Sequence, residues 1–423
     1  MKKRILLLAG LLFFVGPAAR AQADEISDLK AQLAEQQRML LQMQQKLEQL
    51  EAKQSAQDER IEEQVAKVVD EKKVGAVPDS LKWAEKVKIS GDLRYRYEMI
   101  DEEGLDNRNR NRIRARLGIT GQVTDDIEVG LRLATSEPFS SDKGDPISTN
   151  QTLDDAFSKK SIWLDLAYFE WNPHGGGLNI LGGKMETPFY RVGGNQLIFD
   201  SDLTPEGMAV QYKGPLGDSG EFFINGGGFW VNEVGGGADT SLWGMQGGLN
   251  HTFGDKSVLT GGASFYCYGN IAGSGPLIGT GFQGNSNAGG RYLSDYDIAE
   301  VFAEYAFDVG QRPVAVFADF ARNTSAATSQ DTGWLIGGKL GKLKDPGTWE
   351  LSYDYRDIEA DAVLGAFNDS DFIGGGTNGK GHRFGLGYQI TKNVQGALTY
   401  FLDEKSADEH DYSRLQADLI FKF

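Results

Sequence analysis

KVKISGDLRYRYEM, residues 86–99, places Val87, Ile89, Gly91, Leu93, Tyr95, Tyr97 and Met99 on one face of an extended chain. Lys88, Ser90, Asp92, Arg94, Arg96 and Glu98 fall on the other. Side chains alternate across a strand, so this period of two predicts a strand with one apolar and one charged face. One such segment fits a half-buried strand of any β protein. Here the pattern recurs to the end of the chain. It predicts sixteen strands, near 86–99, 109–123, 127–136, 161–172, 177–186, 207–214, 220–231, 241–253, 257–268, 297–308, 312–323, 332–341, 347–356, 381–390, 394–403 and 413–423.

The connections decide what these strands build, because they alternate in length. Short ones lie at 123–126, 172–177, 215–220, 253–257, 309–312, 343–347 and 391–393. Long ones lie near 100–108, 137–160, 187–206, 232–240, 269–296, 324–331, 357–380 and 404–412. Tight turns on one side and long loops on the other describe an all-β, up-and-down transmembrane barrel of 16 antiparallel strands, with both ends on the turn side. In an outer membrane that side is periplasmic. A soluble sandwich has no reason to sort its loops in this way.

Composition points the same way. With 55 Gly, 23 Phe, 15 Tyr and 7 Trp but only 40% hydrophobic residues, the 423-residue chain suits many strands better than many helices. A formal charge of −17, from 60 acids against 43 bases, offers no field that would attract nucleic acid. Cys267 is the single cysteine, which rules out an intrachain disulfide framework. His174, His251, His382 and His410 stand at no ligand spacing, and no Ser/His/acid arrangement can be assembled on adjacent strands. No metal, cofactor or enzymatic activity is therefore expected.

The beginning of the chain carries an address. Lys2, Lys3 and Arg4 precede an apolar run, Ile5 to Val15, and the small-residue sites Ala19-Arg20-Ala21 and Ala21-Gln22-Ala23. This predicts a cleaved export signal over 1–23. No later run approaches the roughly 18 apolar residues of a membrane helix, so a membrane role must use a closed barrel. From Asp24 to Lys73 there is no Gly, Pro or aromatic residue, and apolar positions step by seven: Ile26, Leu33, Leu40, Leu47, with Leu29, Met43 and Leu50 in the companion series. The repeat predicts an N-terminal α-helical coiled coil over 24–77, in the periplasm, before a linker at 78–85 and the barrel at 86–423. Gly75 and Pro78 end the helix.

The last strand alternates Leu415, Ala417, Leu419, Phe421 and Phe423 against Arg414, Gln416, Asp418 and Lys422. An apolar-alternating strand that ends on Phe resembles outer-membrane barrels generally. There, that ending is read by the insertion machinery, a role the resemblance gives to Phe421 and Phe423. The segments GGKMETPF (182–189) and QLIFDSDLTPEG (196–207) strengthen the likeness. The chain resembles the outer-membrane porins, most closely those with an N-terminal coiled coil before a sixteen-stranded barrel, and more distantly the phosphate-selective porins. The resemblance implies a passive channel for ions and small hydrophilic solutes, set in outer-membrane lipid and assembled as a homotrimer.

Sixteen strands leave an aqueous channel. In sixteen-stranded porins the third long loop folds into the lumen, and here that loop is 187–206. Phe189, Tyr190, Leu197, Ile198 and Phe199 supply apolar anchors, and Glu186, Arg191, Asp200, Asp202 and Glu206 are expected at the constriction. Across from it a basic ladder is expected on the pore wall: Lys88, Arg94, Arg96, Arg112, Arg114, Arg116 and Arg132. An acidic loop facing that ladder sets up a transverse field that biases ion entry. A second reading makes the barrel an anchor whose coiled coil contacts the cell wall.

Overall fold

The computed structural model describes residues 84–423 apart from 141–142 and 407–408, together with positions 35, 38, 42, 45, 46, 53 and 60. The export signal expected over 1–23, nearly all of the coiled coil over 24–77 and the start of the linker at 78–85 lie outside the described residues.

Sixteen strands form the wall. They are β1 (Val87–Glu102), β2 (Arg108–Gln122), β3 (Ile127–Thr135), β4 (Ile162–Trp171), β5 (Leu178–Lys184), β6 (Glu206–Leu216), β7 (Gly220–Asn232) and β8 (Thr240–Thr252). They continue as β9 (Val258–Gly269), β10 (Asp297–Val309), β11 (Arg312–Asn323), β12 (Thr332–Gly341), β13 (Trp349–Ile358), β14 (Gly379–Thr391), β15 (Val394–Lys405) and β16 (His410–Lys422). Each pairs antiparallel with its neighbours in sequence, and β16 returns to β1 from Asp92↔Lys422 to Glu102↔Tyr412. The sheet is a closed barrel, so every strand has a partner on both sides.

The expected turns and loops alternate as the sequence predicts. Two of the long loops are short, at 103–107 and 406–409, because the strand pairs β1/β2 and β15/β16 run further beyond the barrel wall. The long loop 136–161 returns a short extended piece, Gln151–Thr152, onto the end of β2, where it pairs with Ile113 and Arg112.

The alternation sets the two faces. Leu93, Tyr95, Tyr97, Trp243, Met245, Ile336, Tyr388 and Leu398 are exposed on the outer face. Asp92, Arg96, Glu98, Arg112, Glu300, Asp319, Asp354 and Arg414 are buried on the inner one. In hydrocarbon the outward side chains meet lipid, so apolar residues belong there. A slip of one residue in β1 or β2 would exchange the faces and drive guanidiniums into lipid, at about 2–4 kcal/mol each near the midplane. Register is therefore fixed by charge as much as by turn geometry. One irregularity falls between Arg132 and Leu133 on β3, where the facing strand β4 carries an extra residue. The extra residue is Asp165, unpaired in the ladder, whose carboxylate meets Arg132 at 2.5 Å.

The buried apolar cluster lies inside the barrel, where loop residues Phe189, Val192, Leu197 and Phe199 meet wall residues such as Phe229, Tyr266 and Phe317. Ile336→Arg, on the outer face of β12, is expected to lower the unfolding free energy by about 2–4 kcal/mol in lipid vesicles. Leu335→Ala, a truncation on the inner face, keeps lipid contacts intact; urea titrations of both variants check the assignment of faces.

Candidate pore-lining site

The segment 187–205 packs against the inner wall through an aromatic and amide clamp. The Phe189 ring meets Tyr266 edge-on at 5.0 Å, and Phe199 meets the same tyrosine at 5.0 Å. Gly244 makes room for this contact: a Cβ there would lie 2.4 Å from the Phe189 ring. Gln246 accepts from the Tyr190 backbone N–H at 2.7 Å and donates to its carbonyl at 2.9 Å, so one amide side chain replaces a strand partner. The Asn195 amide donates to Asp319 at 2.8 Å, and the Gly193 N–H donates to Glu304 at 2.5 Å. Gly193 has φ of 59°, the left-handed region, and a Cβ there would strike the Phe317 ring. The expected anchors Phe189, Leu197, Ile198 and Phe199 are all buried, and Tyr190 lies between Phe223 and Phe302.

A second loop, 359–378, also fills the interior. Val363, Leu364, Ala366, Phe372 and Ile373 are buried, and the Arg356 guanidinium stands 5.1 Å from the Phe372 ring centre. Asn285 holds the loop from outside by donating to the carbonyls of Ala360 and Val363 at 2.7 and 2.8 Å while accepting from Gly365 N–H. The two inward loops are sewn together. Asp200 N–H donates to the Phe367 carbonyl at 2.8 Å, Asn368 donates to the Leu197 carbonyl at 2.5 Å, and the Asp200 carboxylate accepts from Ser370 N–H at 2.8 Å. The alternation of loop lengths predicts an external connection at 357–380. Its composition, apolar residues with Asp361, Asp369 and Asp371 interspersed, is the same signal that singled out 187–206.

Charges on β1, β2 and β16 form a second network. Arg96 grips Asp418 through Nε at 2.7 Å and Nη2 at 2.8 Å. Arg114 and Arg116 share Asp92 at 2.8 and 2.6 Å. Glu98 accepts from Arg414 at 2.5 Å and also binds Arg110. Asp371 of the second inward loop reaches Arg414 at 2.7 Å and Arg96 at 3.4 Å.

These features were compared with known proteins. A family model described as "Putative porin" matches residues 101–276 and 294–423. The chain belongs to this porin family. No curated protein matches the sequence. Among solved structures, the high-pH form of OprB from Pseudomonas putida superposes with a TM-score of 0.56 at 14% identity, over 80% of this chain and 95% of that one. Salmonella typhi OmpF in complex with daunomycin gives 0.49 at 14% identity, over 80% and 97%. The in-vitro folded OmpT of Vibrio cholerae, in its trimer form, gives 0.44 at 15%, over 80% and 99%. Family and fold together make this porin a general outer-membrane channel protein.

Within the porin, the expected constriction residues part company. Asp202 does face the basic wall: its carboxylate accepts from the Thr149 N–H and hydroxyl and lies 3.8 Å from Arg116. Burial alone would raise its carboxyl, but Arg114, the Thr149 donors and Arg116 hold it below the usual range. Asp200 turns the other way, into the seam between the two loops, and is only 3% exposed. Glu206 begins β6 and pairs with Lys184 at 2.9 Å beside the wall, away from the ladder. Glu186 binds Arg132 at 2.6 Å, and Arg191 donates to the Phe199 carbonyl at 3.1 Å within its own loop. Of the ladder, Lys88 is exposed near the start of β1, whereas Arg94 and the arginines described above stand together on the inner wall. Phe421 faces outward opposite Leu93, and Phe423 is bonded through both backbone groups to Gly91. His251 stacks edge-on with Phe253, and His382 Nδ1 shares a hydrogen bond with the Tyr353 hydroxyl.

The clamp predicts that Phe189→Ala loosens the docking of 187–205 by about 3–5 kcal/mol, the usual cost of emptying a large aromatic site. Protease cleavage within 190–203 should then appear in a barrel whose strand content is unchanged. The seam predicts a pH dependence. Burial, with Asp369 and Asp202 nearby, pushes the Asp200 carboxyl well above the usual range, against the pull of the Asp202 and Ser370 N–H donors. The folded seam thus favours protonated Asp200. Its stability is fully present below the ordinary carboxylate pKa and falls as pH rises through the raised one. Once corrected for intrinsic chemistry, hydrogen exchange at Asp200 and Ser370 should speed up with rising pH, and Asp200→Asn should flatten the trend.

Proposed function

We propose that this porin passes ions and small hydrophilic solutes passively through a water-filled channel narrowed by 187–205. The observation that carries this reading is the packing of Phe189, Val192, Leu197 and Phe199 on the inner faces of β7, β8, β9 and β11, with Asp202 turned toward Arg114 and Arg116. Fixed charges of opposite sign across a narrow aqueous path bias which ions enter, because low-dielectric walls confine their field. The extensive pairing of the ladder supports weak selectivity, since each bonded carboxylate cancels most of one guanidinium at a distance. The barrel would sit in outer-membrane lipid as a homotrimer, and the heptads of 24–77 would place a stalk in the periplasm.

Planar-bilayer recordings under a salt gradient test the reading: purified, folded protein without conductance would sink it. The two acids of the loop give the sharper measurement. Asp202→Asn should move the reversal potential toward anion preference. Asp200→Asn should leave it in place, because that carboxyl faces the seam and not the water path. Equal shifts from both would refute the separate assignments.

A further inference from the structure

We infer that Arg112, with Arg94 beside it, forms an oxyanion-binding site on the inner wall, holding a carboxylate or phosphate group of a solute in transit; the inference rests on the channel reading above. Every other buried or half-buried arginine on the inner faces of β1, β2, β3 and β16 has a carboxylate within 4.0 Å. Arg112 has none. It is 6% exposed, its Nε has no partner, and it makes no ion pair or side-chain hydrogen bond among the described residues. Arg94 is held at one end only. Its Nη1 lies 4.0 Å from Asp418, Nη2 donates to the Asn150 amide oxygen at 2.5 Å, and its Nε is also buried without a partner.

Register places the two together. Arg94 sits opposite Arg114 and Arg96 opposite Arg112, so Arg94 and Arg112 are diagonal neighbours on adjacent strands. Diagonal positions lie roughly 7–8 Å apart, within reach of two long side chains converging on one ligand. Asp145 feels Arg112, but its carboxylate accepts from the Ile147 N–H at 3.0 Å and forms no ion pair within 4.0 Å among the described residues.

A buried guanidinium without a counter-charge is costly, and the neighbouring cations add repulsion. Glu98 and Asp371 act on Arg112 only at a distance, being bonded to Arg414 at 2.5 and 2.7 Å, so the donors of Arg112 stay open to a mobile anion. A guanidinium presents parallel N–H donors at a spacing that matches two oxygens of a carboxylate or phosphate, whereas chloride offers one acceptor centre. The site therefore selects oxyanions over halide by geometry, on the stretch of β2 where the Gln151–Thr152 segment is laid against the wall.

Single-channel recordings of the full-length porin in potassium chloride provide the test, with inorganic phosphate titrated in one arm and acetate in another. Phosphate should reduce the chloride-carried current in a saturable manner; a response to acetate as well marks carboxylates as ligands, and a response to phosphate alone restricts the class. Arg112→Gln should raise the half-saturating concentration about tenfold or more, the loss of one charge-assisted bond pair. Arg112→Lys should keep the reversal potential yet still lose most of the saturable effect, because the charge remains without the fork. Arg322→Gln, in a pair with Asp331, should behave as wild type. A conducting wild type with no saturable response to either anion overturns the site, as does an Arg112→Gln channel that titrates like wild type. If Arg112→Gln does not form channels, the wild-type titration and Arg112→Lys decide. A wild type that does not conduct at all refutes the channel reading instead.

Discussion

Closure of the sheet is the constraint on which everything else depends. A strand edge in hydrocarbon leaves a row of N–H and C=O groups with no water to bind, each costing several kcal/mol, so β16 must return to β1. It does so over the length of the two strands, and the terminal Phe423 extends the seam to Gly91. The same seam assembles the charge network. Arg96 meets Asp418, 322 residues away in sequence, only because the first and last strands are neighbours. Arg414 reaches Glu98 for the same reason. Backbone satisfaction and side-chain pairing are thus one event: the register that closes the barrel also sets Arg96 opposite Asp418.

The wall was legible in the sequence because lipid and water impose opposite demands on alternate residues. All sixteen strands fall where the period of two places them, with ends that differ by at most three residues in either direction, since the alternation marks a strand's faces better than its ends. The loop 187–206 was legible for a related reason: apolar residues such as Leu197 and Phe199 have no use in an external loop. The same argument applies to Val363, Leu364 and Phe372, but the alternation of short and long connections places 357–380 simply among the long external loops. In the structure the glycines at 374–376 serve a tight return, each with positive φ.

The partners of the arginines were not legible. Alternation tells which face Arg94, Arg114 and Arg116 occupy, and says nothing about what stands across the gap. Asp418 and Asp371 come from the last strand and from the second inward loop, contacts between distant positions that no local period encodes. Asp200 and Asp202 show the limit most clearly. Two residues apart, they occupy opposite sides of the same loop, one facing Ser370 and the other Thr149 and Arg116. In an irregular segment the side-chain direction follows from φ and ψ at each residue, not from a repeat, so spacing alone could not separate them.

The pairing bears on what a pore wall of this kind can do. Ion pairs buried on the inner face gain little net stability, because desolvation offsets most of the attraction. What they fix is geometry. An arginine held by two carboxylate oxygens, as Arg96 is by Asp418, has its donors occupied and contributes to the lumen mainly as half of a dipole. Dipoles fall off faster with distance than single charges. The field along the water path is therefore set by the few groups left without a partner, not by the seven basic positions of the ladder or by the chain's formal charge of −17. One of the acids that neutralise the wall, Asp371, belongs to the second inward loop and ties it to Arg414 and Arg96, so on the proposed channel reading its removal would change the width of the path along with its field. Charge and calibre in this barrel are coupled through the same carboxylates.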